Sequence, residues 1–136
     1  MADSIFTKII KGEIPSHKVY EDEVVLAFLD IHPVSPGHTL IVPKQPVDVF
    51  WELDEATYAH IHKVAQALAK HLHEQIGCQR VGSVVYGLDV PHAHLHLIPL
   101  VTGQEIKFNH DPTAEPDHAA LAKTASQLAL PDNSLA

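Results

Sequence analysis

The fold follows from residues 91–99, which read PHAHLHLIP. Histidine occupies positions 92, 94 and 96, whereas Ala93, Leu95 and Leu97 occupy the positions between them. Because successive side chains of a β-strand point to opposite faces of the sheet, this alternation predicts a strand with three imidazoles on one face. The apolar side chains on the other face would anchor the strand to a core. We therefore expect a strand at residues 93–100 that is reactive on one side.

Three histidines at this spacing allow three interpretations. The first is that they merely tolerate a half-exposed strand, although histidine is not favoured in strands. The second is a metal site, because catalytic zinc can be bound by three histidines and a water molecule. The third is covalent catalysis at phosphorus, because a neutral imidazole can attack a phosphate and leave from a labile intermediate. Histidine suits the third role since its unperturbed pKa, about 6.5, allows both protonation states near neutral pH.

The rest of the chain predicts an α+β fold, with an antiparallel sheet packed against one long helix and a short N-terminal helix. Apolar residues recur at helical spacing between Asp54 and Ile76, and Gly77 provides a stop. The shorter helix is expected at residues 5–11, with Ser4 as its N-cap. β-Branched and aliphatic runs predict strands at residues 18–21, 24–30, 38–43, 81–86 and 93–100. A further helix is expected at residues 115–128, followed by a frayed end.

Composition narrows the class of ligand. The chain has 136 residues, the usual size of one domain, and a formal net charge of −8 at pH 7. This acidic balance argues against binding to nucleic acid or to anionic membranes, and so any phosphate ligand should be small. The single cysteine and the lack of a long apolar run lead us to expect a cytoplasmic protein. Twelve histidines are unusual, and the four on the long helix, at positions 60, 62, 71 and 73, are expected on its solvated face.

A resemblance extends well beyond the triad. Residues 92–98 match the His-φ-His-φ-His-φ-φ signature of the histidine triad (HIT) family, where φ is an apolar residue. Residues 5–16, 26–31 and 36–44 resemble its histidine triad nucleotide-binding (Hint) branch in the same order, so the likeness covers residues 4–100. The resemblance implies a HIT-like fold in residues 1–103, a C-terminal extension at 104–136 and a homodimer.

The resemblance also implies an activity. Members of this branch bind purine nucleotides, and hydrolyse nucleoside phosphoramidates, acylated nucleotides or dinucleoside polyphosphates without a cofactor. By that pattern, His94 would be the nucleophile, with His96 contacting phosphate and assisting the leaving group. His92 would orient the site, and His38 would lie against the triad. The residues matching the family's nucleotide contacts are Asp30 and Ile31 for ribose, Phe6, Ile9 and Phe28 for the base, and Gly87 with Asp89 for phosphate.

Two departures from the family pattern bear on the chemistry. Many bacterial relatives bind a structural zinc through positions that are Ser4, Thr7 and Pro46 here, so we predict no metal at that place. The family's Gly-Gln-Ser/Thr before the triad is replaced by residues 87–89, GLD. A carboxylate at position 89 should repel a phosphate. It either points away, or holds an imidazole in its charged form, or reflects a changed substrate preference, and a nucleotide-binding regulator with little turnover is the alternative function.

Overall fold

The computed structural model describes residues 2–107 and 111–136. Its elements in chain order are α1 Ile5–Ile10, β1 Lys18–Glu21, β2 Val25–Leu29, β3 Thr39–Pro43, a 3₁₀ helix Phe50–Glu52, α2 Glu55–Ile76, β4 Arg80–Val84, β5 Leu95–Leu100 and α3 His118–Leu128. The predicted α+β class is confirmed, and the five strands form one antiparallel sheet in the order β1-β2-β3-β5-β4.

The long helix begins and ends where the sequence predicts. Asp54 caps its first turn by accepting a hydrogen bond from the Thr57 amide, and Gly77 closes it in the left-handed conformation with φ 76°. Its apolar stripe packs on one face of the sheet, so that α2 and the sheet enclose the main core. The buried side chains of that core include Val25, Ala27, Ile41, Leu95 and Leu97 of the sheet and Ile61, Val64, Leu68 and Leu72 of α2.

The opposite face of the sheet carries a smaller apolar cluster and the short helix α1. Phe6 of α1 packs there against Phe28, with ring centroids 5.6 Å apart. Leu26, Leu40 and Val42 complete the buried part of this cluster. Because Ser4 caps α1 through the Thr7 amide, as expected for an N-cap, the helix is fixed both at its first turn and by Phe6. This second apolar cluster therefore lies between the sheet and α1.

Element boundaries differ from the sequence predictions by a few residues. The expected strand at residues 93–100 begins only at Leu95, because the Ala93 amide donates to the Val47 carbonyl instead of pairing with β3. The last helix begins at His118 because Asp117 accepts from the Ala120 amide and caps it there. The expected C-terminal extension contains residues 108–110, which lie outside the described residues. None of the helices in the described part is both long and apolar enough to cross a membrane.

Candidate active site

The cluster of histidines lies on the face of the sheet that carries α1. In the register of the sheet, Leu40 pairs with His96 and with Phe28, so these three side chains form one row across β2, β3 and β5. The alternating pattern holds through the irregular residues before β5, because Ala93, Leu95 and Leu97 all join the core beneath α2. The predicted separation of apolar and imidazole side chains is thus present, although His92 and His94 precede the strand itself.

The two ring nitrogens of His94 differ in their hydrogen bonding. Its Nδ1 lies 2.7 Å from the His92 carbonyl oxygen, which accepts only, so in the neutral ring Nδ1 carries the proton. The lone pair is therefore on Nε2. This atom is buried and has no hydrogen-bond partner among the described residues, although Asp89 Oδ1 lies 3.3 Å away. A buried imidazole nitrogen that carries a lone pair and lacks a partner is suited to act as a nucleophile.

His96 presents the complementary ring state. The Val34 amide donates to His38 Nδ1 over 3.0 Å, so the proton of neutral His38 lies on Nε2. His38 Nε2 in turn donates to His96 Nδ1 over 2.9 Å, which leaves the proton of His96 on its Nε2. The sequence of donors from backbone to His38 to His96 therefore places an N–H group, not a lone pair, beside His94.

Burial keeps this pair of rings neutral. It lowers the pKa of His96 to about 4, with further lowering by the neighbouring His94 and His38 and opposition from Asp89. Burial also lowers the pKa of His38, although the Asp30 carboxylate, 3.6 Å from its Nε2, opposes the shift. Both rings are therefore neutral near pH 7, which is the condition under which their tautomers follow from their partners.

His92 is fixed from both sides. Its Nε2 donates to the Pro43 carbonyl over 2.8 Å, so its Nδ1 is an acceptor. The hydroxyls of Ser4 and Thr7 lie 3.2 and 3.3 Å from that Nδ1. Both nitrogens of His92 are thus engaged away from His94, and its carbonyl holds His94 Nδ1. The geometry makes His92 a residue that orients its neighbour.

Sequence reasoning missed the role of Ser4 and Thr7 toward the triad. The sequence indicates Ser4 only as an N-cap, and both residues only as positions without a zinc ligand. The available signal was their spacing: two hydroxyl residues three apart on the first turn of a helix present both oxygens on one side. What the sequence does not indicate is that this side faces His92, because the docking of α1 depends on contacts from distant strands.

A cavity of about 290 Å³ opens between α1 and the end of β2. It brings together the predicted residues Phe6, Ile9, Phe28, Asp30, Ile31 and Asp89. Residues that sequence reasoning did not select also line it, among them Ile14, Leu40 and Val90. Phe6 connects it to the triad, since its ring centroid lies 4.9 Å from that of His94. An apolar wall with a carboxylate at each of two points is a suitable shape for a small polar aromatic ligand.

Gly87 is not among the residues that line this cavity. It borders a second cavity of about 260 Å³, which is also lined by Asp48, Trp51, Tyr86 and His94. Its φ of 77° shows that the loop turns there in a conformation that favours glycine. The structure thus separates the two predicted phosphate-loop residues, with Asp89 in the first cavity and Gly87 in the second.

Asp89 lies close to His94, with Oδ1 3.3 Å from Nε2, so of the three alternatives for this residue the one in which it points away is wrong. Its carboxylate is about half exposed and accepts a hydrogen bond from the Val90 amide over 2.9 Å. Partial burial would raise its pKa, but the Val90 amide and the neighbouring His94 and His96 hold that pKa below the usual range. A negative charge therefore lies 3.3 Å from His94 Nε2.

Acidic and imidazole side chains of the site also lie close enough together to be considered as metal ligands. Two groups in the described part of the chain have ligand atoms within 4.8 Å of one another: Asp30 with His38 and His96, and Asp89 with His94 and His96. Neither group contains His92. His96 is common to both, yet its one lone pair accepts from His38 and its other nitrogen carries the proton. A metal ion there would have to break the bond between His38 and His96, so the geometry does not favour the three-histidine metal interpretation.

These features define the class of protein. It has an α+β fold in which an antiparallel sheet carries a long helix on one face and a cluster of histidines on the other. Comparison with known proteins agrees, since the HIT domain model matches residues 11–103. Protein hit from Bacillus subtilis is 46% identical over 101 residues, which cover 70% of this chain and 69% of that protein. The solved structure of SMU.412c from Streptococcus mutans matches with a TM-score of 0.82 and 35% identity, covering 93% of this chain and 83% of that one.

The chain belongs to the histidine triad (HIT) family. Another relative is the adenosine 5'-monophosphoramidase HNT1 of Saccharomyces cerevisiae, 35% identical over 129 residues that cover 93% of this chain and 81% of that protein. These relationships support a nucleotide hydrolase at the level of the family.

Proposed function

We propose that this protein hydrolyses purine nucleoside phosphoramidates, or related nucleotides with a leaving group on the α-phosphate, through a nucleotidyl-histidine intermediate. The observation that carries the proposal is the pair of complementary ring states: a bare lone pair on His94 Nε2 beside an N–H on His96 Nε2. A nucleophile and a hydrogen-bond donor at one point are the two groups that displacement at phosphorus requires.

In the first step, the lone pair of His94 Nε2 attacks the α-phosphorus and the bond to the leaving group breaks. The leaving amine takes the electron pair of that bond and one proton from water, and the hydroxide ion so formed is neutralised by the proton that is released in the second step. The N–H of His96 donates a hydrogen bond to the anion or to the leaving atom, without having to lose its own proton. The resulting ring carries a positive charge, and the His92 carbonyl continues to accept from its Nδ1.

In the second step, water attacks the same phosphorus and the bond to Nε2 breaks. The electron pair returns to Nε2, the nucleoside monophosphate leaves, and water's surplus proton passes to solvent. The His94 ring is then neutral, with its proton still on Nδ1. The backbone carbonyl of His92 thus keeps the ring in the same orientation through both steps, which is how a positioned nucleophile lowers the barrier.

Binding of the nucleotide is assigned to the cavity beside α1. Phe6, Ile9 and Phe28 would enclose the base, and Asp30 would accept hydrogen bonds from the ribose hydroxyls. Asp30 already accepts from the His32 amide through Oδ1, which fixes the carboxylate. The purine preference, the homodimer and the cytoplasmic location stay predictions that rest on the resemblance and on composition.

The test is turnover of adenosine 5'-phosphoramidate by the purified protein and by His94→Ala, with and without a chelator. We expect the variant to lose at least about 1,000-fold in kcat while still binding adenosine monophosphate, since a nucleophile cannot be replaced by its neighbours. His71→Ala, on the exposed face of α2, is the matched control and should retain full activity. Activity that survives in His94→Ala, or that disappears on chelation, would contradict the covalent mechanism.

A second function is favoured by the position of Asp89. A carboxylate 3.3 Å from the attacking nitrogen is unfavourable for an incoming phosphate, and it is compatible with a nucleotide-binding regulator of little turnover. That function predicts binding of the nucleotide by the unmutated protein with no measurable hydrolysis of any phosphoramidate tested. The same assay distinguishes the two.

A further inference from the structure

Asp89 occupies a position that any reacting phosphate must approach. Its Oδ1 lies 3.3 Å from His94 Nε2, and its side chain lines the cavity assigned to the nucleotide. A phosphorus atom ready for attack lies about 3 to 3.5 Å from its nucleophile. The oxygens of a bound α-phosphate therefore come within a few ångströms of this carboxylate.

The carboxylate is fixed where it is. Its Oδ1 accepts from the Val90 amide over 2.9 Å, which holds the side chain against its own loop. His94, which it faces, is buried, and its Nδ1 is directed to the His92 carbonyl and not to Asp89. Repulsion between the carboxylate and a ligand consequently grows with the negative charge on the ligand's phosphate.

Substrate and product differ in that charge. A phosphoramidate or a phosphodiester has one ionisable oxygen on phosphorus and carries a single negative charge. A phosphate monoester, such as the nucleoside monophosphate product, has a second ionisation with a pKa of about 6 and is mostly a dianion near pH 7. The same carboxylate thus acts more strongly on the product than on the substrate.

We propose that Asp89 is a specificity-determining residue that discriminates against dianionic nucleoside monophosphates and favours nucleotides with a monoanionic α-phosphate. This proposal rests on the proposed function, which assigns the cavity to the nucleotide and the role of nucleophile to His94. Discrimination of this kind weakens product inhibition, because the ligand formed by hydrolysis gains the charge that Asp89 repels. The residue contributes no bond to the reaction and acts through charge alone.

The experiment measures dissociation constants by titration calorimetry for three ligands of graded charge: adenosine, the 5'-phosphate methyl ester of adenosine, and adenosine monophosphate. Asp89→Asn is compared with the unmutated protein near pH 7. We expect adenosine to be unaffected, the methyl ester to bind a few-fold more tightly, and the monophosphate to bind about tenfold more tightly, as expected for one added charge a few ångströms away. The product inhibition constant should fall in parallel.

Glu23→Gln is the matched control, because Glu23 is exposed at the end of β2 opposite to Asp30 and its loss changes the net charge equally. It should leave all three constants unchanged. Asp89→Ser is a second variant, which also lacks the charge but differs in its hydrogen bond to Val90. We expect it to show the same graded change in affinity across the three ligands.

Equal changes for adenosine and the monophosphate, or no change for either, would overturn the proposal, since only a charge effect separates the ligands. Binding is measured without turnover, so the outcome is independent of catalysis. A graded effect in a protein that hydrolyses nothing would uphold the role of Asp89 and defeat the proposed function. Turnover that depends on His94, with no graded change in ligand affinity on replacing Asp89, would uphold the proposed function and defeat the role of Asp89.

Discussion

At the scale of single residues, the site is a set of four imidazoles whose tautomers are assigned by hydrogen-bond partners outside the cavity. The carbonyls of His92 and Pro43 fix one nitrogen each on His94 and His92, and the Val34 amide begins the series that ends on His96. Because each ring has one nitrogen committed in this way, the other nitrogen has a defined character, either lone pair or N–H.

Replacement of His38 tests this series of donors. His38→Ala leaves His96 Nδ1 without its donor, so the His96 proton is no longer confined to Nε2, and we expect kcat to fall about 100-fold. His38→Gln retains an amide N–H that is able to donate to the same nitrogen, and should recover part of that loss. The measurement is kcat and KM for adenosine 5'-phosphoramidate in each variant. A glutamine variant no better than alanine would show that the donor at His38 is irrelevant to the rate.

How far the sequence could predict the site is clear from these residues. Alternation in residues 91–99 was enough to predict that the imidazoles share a face opposite to a core, and that is confirmed. The tautomers of the rings could not be predicted from the sequence, since they depend on the Val34 amide, the Pro43 carbonyl and the hydroxyls of α1. These partners come from parts of the chain that meet only in the folded protein.

At the scale of elements, an unexpected contact joins the β1–β2 turn to α2. The sequence predicted His60 on the solvated face of the helix, but its Nε2 lies 2.6 Å from the Asp22 carboxylate and it is less than one third exposed. Asp22 also accepts from the amides of Val24 and Val25. These hydrogen bonds, with the one from His60, hold its pKa below the usual range despite partial burial. Helical periodicity could not indicate this contact, because the partner lies on another element.

Loss of this contact should affect stability and leave the chemistry alone. We expect Asp22→Ala to lower the free energy of unfolding by about 2 kcal/mol, because two turn amides and His60 lose their acceptor. His60→Ala removes only one of these partners and should cost less. Urea denaturation measures both. Because the turn lies at the end of β2 away from Asp30, kcat should be unchanged, and a parallel loss of kcat would contradict the assignment of a purely structural role.

At the scale of the whole molecule, the buried histidines make stability depend on pH. The pKa of His96 is lowered from 6.5 to about 4, and those of His38 and His92 are also lowered, chiefly by burial. In that interval the unfolded chain binds protons that the folded chain does not. Stability is therefore complete above about pH 6.5 and declines as the pH falls toward 4.

We expect His96 alone to account for a loss on the order of 3 kcal/mol between these limits, from its pKa shift. The free energy of unfolding from urea denaturation at several pH values measures the slope. His96→Asn removes the titrating ring and should flatten the curve, whereas His71→Ala, at an exposed position, should not. Carboxylates with lowered pKa values, such as Asp22 and Asp89, add to this loss mainly near pH 4 and below, where the unfolded carboxyl groups take up protons. A curve with the same slope in His96→Asn would contradict the assignment.

The short helix α1 couples two properties that are otherwise separate. A helix of six residues is too short to persist in water unless it is docked, and here Phe6 docks it on the sheet. The same helix supplies the cavity wall through Phe6 and Ile9 and the hydroxyls that hold His92. Local opening of α1 would therefore remove the ligand's wall and loosen the triad in one event. By linkage, any ligand that fills the cavity must in turn slow the exchange of the α1 amide hydrogens with solvent.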